Sequence, residues 1–302
     1  RANLRNLWTD DSMPVGTPAG VPGSSGCHLT TLYPPDQTWS NLYDSGMTET
    51  LRVLFVGAME TEIAGLRAYY DCASAQPIHG AYPFWTAIRD GLEVGVLQTH
   101  VGETNAAIAT PEAIRRFTPD VVLKIGCVGG QAEGIHQGDI VVPLAFFHSG
   151  AWITRAEVDN APTSDAAQWQ SVFGERPYQV NRANLGGRPH VLAPDPALNA
   201  RYAKHLEAQG LPFARAYVGG SNIWFFEHAF MRQVLAAQVP DATTDAWVAD
   251  MESYAVAQAC AVLGTPFTGL YRVSNSEYYG EAYDPAAVAG MFEGAFVETV
   301  AA

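Results

Sequence analysis

From Leu51 onward the chain switches repeatedly between apolar runs and segments with a helical apolar period. The run "LRVLFVGA" reads as a strand, and "METEIAGLRAYY" as a helix with Ile63, Leu66 and Tyr70 on one face. The segments "PFWTAIRD" and "LEVGVLQT" alternate like a hairpin that turns at Asp90–Gly91. "TNAAIATPEAIRRF" predicts a helix, "DVVLKIGCVGG" a strand covered on both faces, and "GDIVVPLAFFH" another strand. A helix follows in "PALNARYAKHLEAQG", stopped by Gly210, and then a strand in "FARAYVGG". "WVADMESYAVAQACAVLGTP" is expected to form one helix with Met251, Ala255, Ala259 and Val262 facing inward. Gly264 and Pro266 end it, "FTGLYRV" is a strand, and "PAAVAGMFEGAFVETVA" closes the chain as a single helix. This alternation predicts an α/β sheet with helices on both sides, and a site gathered at strand ends.

Two stretches break the pattern. Residues 1–50 are rich in Pro, Gly and Ser and predict an irregular N-terminal arm. Tyr33, Trp39 and Tyr43 within it suggest that the arm drapes over the domain or over a neighbouring subunit. Residues 150–190 are polar and irregular and read as an inserted loop within one domain spanning 51–302.

Charge narrows the partners. A net charge of −14 disfavours DNA, RNA and anionic lipid, which are themselves polyanions. No apolar run reaches the roughly 18 residues that a membrane-spanning helix needs. With no apolar leader in view, the cytoplasm is the expected compartment. The four cysteines fit no zinc spacing. Cys127 and Cys260 read as buried thiols, while Cys27 and Cys72 are candidates to pair in an oxidising compartment. Neither a metal nor an organic cofactor is implied: "HQGD" offers only two ligands, and "GCVGG" lacks the dinucleotide spacing.

Three polar features stand at strand or helix ends: "GAMETE" (57–62), "KIGCVGG" (124–130), and "DMES" (250–253) followed one helix later by "VSNSE" (273–277). In this order and spacing they resemble the nucleoside phosphorylase/nucleosidase superfamily, most closely the methylthioadenosine/S-adenosylhomocysteine nucleosidases. The resemblance covers about residues 51–302, without the arm or the 150–190 insertion. It implies a single domain with a twisted, partly closed mixed sheet flanked by helices. It also implies hydrolysis of the bond between base and ribose in a purine nucleoside, and a homodimer or higher homo-oligomer.

The resemblance also assigns roles. Glu62 matches the acid that activates the attacking water, with Glu60 as the alternative; a carboxylate at a strand–helix turn is suited to act as a base. Glu252 matches the acid that grips the ribose hydroxyls, since a carboxylate accepts two hydroxyl hydrogen bonds at once. Met251 matches a residue packing on the sugar, Thr99 a hydroxyl near the water or anion site, and Trp224 with Phe225 the rings that stack on the base. His148, or His100, is a candidate for the 5′ side. Asn275 stands where the adenine-cleaving members have Asp. Its amide has no proton to give at neutral pH but offers donor and acceptor together, which suits a 6-oxopurine. Lys124 stands where the phosphorylases place a phosphate-binding Arg. That leaves phosphorolysis as an alternative to hydrolysis, while a buried partner for an acid is the other reading of Lys124. A third reading is a nucleoside-binding or storage-type protein without turnover.

Overall fold

The computed structural model describes residues 50–89, 91–154, 166–177, 179–224 and 228–301. The expected N-terminal arm, with Cys27, therefore lies outside the described residues, as do part of the insertion and Phe225.

Eleven strands and seven helices alternate through these residues. In chain order they are β1 (Leu51–Gly57), α1 (Glu60–Tyr69), β2 (Phe84–Arg89), β3 (Leu92–Gln98), α2 (Glu103–Phe117), β4 (Val121–Gly130) and β5 (Ile140–His148). Then come β6 (Trp152–Ile153), β7 (Gln170–Ser171), β8 (Val191–Leu192), α3 (Pro196–Ala208), β9 (Phe213–Gly220), α4 (His228–Gln238) and β10 (Trp247–Asp250). The chain closes with α5 (Ser253–Leu263), β11 (Phe267–Ser276), α6 (Pro285–Met291) and α7 (Ala295–Ala301).

The main sheet runs β10-β9-β5-β11-β4-β1-β3-β2, with β8 on β5. Parallel pairs (β1 with β3 and β4, β11 with β4, β9 with β5 and β10) mix with antiparallel ones. β10 also turns back onto β4 in antiparallel register, Val248 against Gly130 and Ala249 against Gly129. That contact closes β4, β11, β5, β9 and β10 into a ring, with β1, β3 and β2 as an open flank. β4 is buried along nearly its whole length, as its continuous apolar run requires.

Helices cover both faces. α2, α4 and α5 pack on a core built around Val122, Phe146, Val218, Trp247 and Tyr271. α1, α3, α6 and α7 pack on a second core around Phe55, Leu123, Ile125 and Leu270.

Three elements differ from the sequence expectation. Trp247–Asp250 is a strand rather than the first turn of a helix, and α5 begins only at Ser253. Val262, expected inside, is 51% exposed, while Tyr254, Val256 and Cys260 fill the inner face instead. The closing helix is broken into α6 and α7. Gly294 adopts a left-handed φ of 53°, and Phe292 turns its ring edge-on to Phe296 in the second core. The insertion is not wholly irregular: β6 and β7 pair as a short antiparallel ribbon. Cys72, Cys127 and Cys260 are free thiols, Cys260 buried and Cys127 partly so. Among the described residues no helix is long and apolar enough to cross a membrane.

Candidate active site

The ends of β1, β4, β10 and β11 surround a cavity of about 390 Å³. Glu62, Met251, Glu252, Asn275 and Trp224 all line it, together with Asp250, Gln131, Ser274 and Glu277. Its lining holds four carboxylates and, among the described residues, no lysine or arginine.

Glu62 reaches the cavity from the first turn of α1. Its Oε2 accepts the backbone N–H groups of Ala58 (2.6 Å) and Met59 (3.0 Å), and its Oε1 accepts that of Cys127 (2.9 Å). A carboxylate has about four acceptor positions. Three are taken by backbone, and the Cys127 side chain also bonds this carboxylate. β4 makes space for this acid: a Cβ on Gly126 would lie 2.9 Å from Glu62 Oε1 and 2.6 Å from Lys124 Nζ.

Glu252 occupies the junction of β10 and α5. Asp250 takes over the capping of that helix, accepting from Glu252 N and Ser253 N and from the Ser253 hydroxyl. The Glu252 carboxylate is thereby left for the cavity, where Oε1 accepts Gly102 N at 2.7 Å. Burial pushes its pKa up to about 8; Lys124 opposes that shift, and the charges of Asp250 and Glu62 add to it. Burial likewise raises Asp250.

Lys124 is fully buried beneath these acids and does not line the cavity. Its Nζ donates to Ile125 O at 2.9 Å and lies 3.9 Å from Asp250 Oδ2 and 4.0 Å from Glu252 Oε2. Burial alone would lower its pKa, but the charges of Glu62, Asp250 and Glu252 outweigh that and hold it above the ordinary lysine value. Geometrically it is a counter-ion for the acid cluster, the second of the two roles the sequence left open.

The opposite wall comes from the end of β11. Its register against β4 slips between Val273 and Asn275, so Ser274 is an extra residue. In a regular strand neighbouring side chains point to opposite faces; the bulge lets Ser274 and Asn275 line the cavity together. The Asn275 amide is held at both ends: Oδ1 accepts the Ser274 hydroxyl at 2.6 Å, and Nδ2 donates to Glu277 Oε1. Trp224, 55% exposed at the rim, donates Nε1 to the same Glu277 oxygen at 2.5 Å.

Other candidates lie elsewhere. Thr99 is buried, with its hydroxyl donated to His100 O (2.9 Å), and stands off the cavity lining. His148 faces Glu103 (Nε2 to Oε1, 3.2 Å) and the edge of Tyr254, also off the lining. His100 is exposed, on Ala81 O. His136 pairs with Glu281 and Asp139 caps the His136 backbone, which accounts for "HQGD". Among the described residues no three His, Cys, Asp or Glu groups converge as a metal site. Sequence reasoning gave no role to Asp250, Gln131 or Glu277, which reach the cavity through long-range pairing.

A sequence profile of the Phosphorylase superfamily matches residues 52–299, and the chain belongs to that superfamily. The chain is 26% identical over 225 residues to the 5′-methylthioadenosine/S-adenosylhomocysteine nucleosidase of Bacillus pumilus, spanning 74% of this chain and 86% of that protein. It is 27% identical over 227 residues to the enzyme of the same name from Geobacillus thermodenitrificans, spanning 74% and 84%. The 5′-methylthioadenosine/S-adenosylhomocysteine nucleosidase of Campylobacter jejuni superposes with a TM-score of 0.64 at 15% identity, covering 83% of this chain and 96% of the other. A futalosine hydrolase mutant of Helicobacter pylori superposes with a TM-score of 0.62 at 15% identity, covering 83% and 97%. At such identities these superpositions speak for the fold.

Proposed function

We propose that the protein is a nucleosidase that hydrolyses the base–ribose bond of purine nucleosides. Glu62 activates water toward C1′, Glu252 holds the ribose hydroxyls, Met251 packs on the sugar, and Asn275 with Trp224 receives the base. One observation carries this reading. Glu62 and Glu252 face one cavity above the buried Lys124. Burial disfavours the ionised forms of Glu252 and Asp250, and a positive charge that develops at the sugar as the bond breaks favours them, so the cluster suits such a transition state. Acids with no lysine or arginine in the described lining disfavour phosphate, and Lys124 is turned toward Ile125 O and the acids. The nucleosidase names of the sequence relatives support water as the co-substrate. The Asn275 amide, with one N–H on Glu277 and one remaining, supports preference for a 6-oxopurine, which offers acceptors at N7 and O6. Apolar side chains exposed on α2 (Ile108) and α5 (Val262, Leu263) support the expectation of a homo-oligomer.

The test is product analysis with inosine, guanosine and adenosine, with and without phosphate. Free base and free ribose are expected in phosphate-free buffer, and Glu62→Gln should slow their release by ~10²–10⁴-fold. Ribose 1-phosphate as the product, with no base released in phosphate-free buffer, would overturn the hydrolytic reading. Tight base binding without release from any nucleoside would favour the storage-type alternative.

A further inference from the structure

The base-side wall holds a carboxylate that the roles above leave unused. Glu277 follows Asn275 by two residues and lines the same cavity. Neutral N–H donors grip it, among them Asn275 Nδ2 and Trp224 Nε1 on Oε1, and Gln131 Nε2 on Oε2 at 2.7 Å. The strand beneath is shaped for it. A Cβ on Gly129 would lie 2.6 Å from Glu277 Oε2, so β4 receives this acid only with glycine at that position. Gly126 stands in the same relation to Glu62, three residues earlier on the same strand. The cavity thus has two carboxylates seated over glycines of β4, and only one has been given work.

The departing base needs a proton, because a purine anion is a poor leaving group. The Asn275 amide has none to give at neutral pH. We infer that Glu277 is the acid that protonates the departing base, and that Asn275 positions it; the inference rests on the purine nucleosidase reading above. Burial raises the Glu277 pKa against a backbone hydrogen bond and those from Trp224 and Asn275, the direction a proton donor requires. In the step, the C1′–N9 bond breaks and its electron pair goes to the purine. The Glu277 carboxyl proton passes to a ring nitrogen of the base. Water adds to C1′ and gives a proton to Glu62. Glu62 then releases that proton to solvent and Glu277 regains one, so one nucleoside and one water become free base and ribose.

The test compares two leaving groups on wild type, Glu277→Gln and the double variant Asn275→Asp/Glu277→Gln. One substrate is whichever of inosine, guanosine and adenosine the wild type cleaves fastest. The other is 4-nitrophenyl β-D-riboside, whose nitrophenolate departs without a proton. Glu277→Gln should lose at least ~100-fold in kcat on the purine nucleoside while staying within about threefold of wild type on the nitrophenyl riboside. The double variant returns an acid to the neighbouring position and should recover at least ~10-fold on the purine nucleoside over Glu277→Gln. Equal losses on both substrates with no recovery in the double variant would overturn the inference, as would no loss on either. Base release from no purine nucleoside by the wild type would overturn the nucleosidase reading itself, and the inference with it.

Discussion

The two walls of the cavity hold their carboxylates by different means. On the sugar side, Glu62 and Glu252 are fixed by backbone N–H groups from the turn between β1 and α1, from β4 and from the residue before α2, above a buried lysine. On the base side, the side chains of Asn275, Trp224 and Gln131 donate to Glu277 alongside a backbone hydrogen bond, and Trp224 stands on the exposed rim. Backbone donors move only if the fold moves, and the buried cation keeps its neighbours close to charge balance. Side-chain donors adjust rotamer by rotamer and can be exchanged one at a time. In the proposed reading the sugar wall keeps a constant chemical task, and the base wall is where specificity can drift.

The largest break in this comparison comes from Lys124→Met. Removing the buried cation under Asp250 and Glu252 leaves buried acids uncompensated, which costs about 3–5 kcal/mol. Urea unfolding should show that loss. Unchanged stability, with a raised phosphate requirement, would return Lys124 to the role of an anion ligand. A subtler probe is pH. Glu252 has its pKa raised from 4.5 to about 8 in the folded state, so the native protein binds more protons than the unfolded chain between those values. Stability from this group is then highest at low pH and falls as pH rises through that window. Lys124, raised above the ordinary lysine value, acts only at higher pH, while His190, lowered by burial, works in the opposite sense near its own range. The difference between wild type and Glu252→Gln reports this carboxylate together with its effect on the neighbouring Asp250. The variant should gain in Tm relative to wild type from pH 4.5 to about 8 and level off above it. A constant difference would mean that Glu252 is not held against its charge.

Much of this was legible in the sequence because the motif residues sit where one strand or helix ends. "GAMETE" is a strand–helix turn, and its carboxylate falls in the first helical turn whatever lies around it. Met251, Glu252, Asn275 and Trp224 also reach the cavity. What escaped depends on contacts between distant segments. "WVAD" continues an apolar pattern into α5, and nothing local shows that β9 and β4 will claim it as a strand. α4 is absent from the sequence expectation although Phe230, Met231, Val234 and Leu235 carry a helical period. For Lys124, Thr99 and His148, position along the sequence does not tell a cavity-facing side chain from one turned elsewhere. Glu277 was visible as an acid after a strand, but its place over Gly129 follows from the bulge at Ser274 and the pairing of β11 with β4.

The smallest effect, and the sharpest on the base wall, is expected from Asn275→Asp. The new carboxyl would stand beside Glu277, where Nδ2 of the present amide donates to Oε1. Two carboxyls in hydrogen-bond contact cannot both ionise, so the pair keeps one shared proton. A proton-bearing pair can donate to N7 of adenine and accept from its exocyclic amine, whereas the lost amide N–H was the donor suited to O6 of a 6-oxopurine. The ratio of adenosine to inosine turnover should therefore rise by ~10-fold, while the sugar wall, untouched, leaves the dependence on Glu62 unchanged. An unaltered ratio would mean that the base is selected elsewhere on the wall, with Trp224 the next position to probe. A fall in turnover on every nucleoside, without a change in ratio, would mean that the two walls are coupled rather than independent.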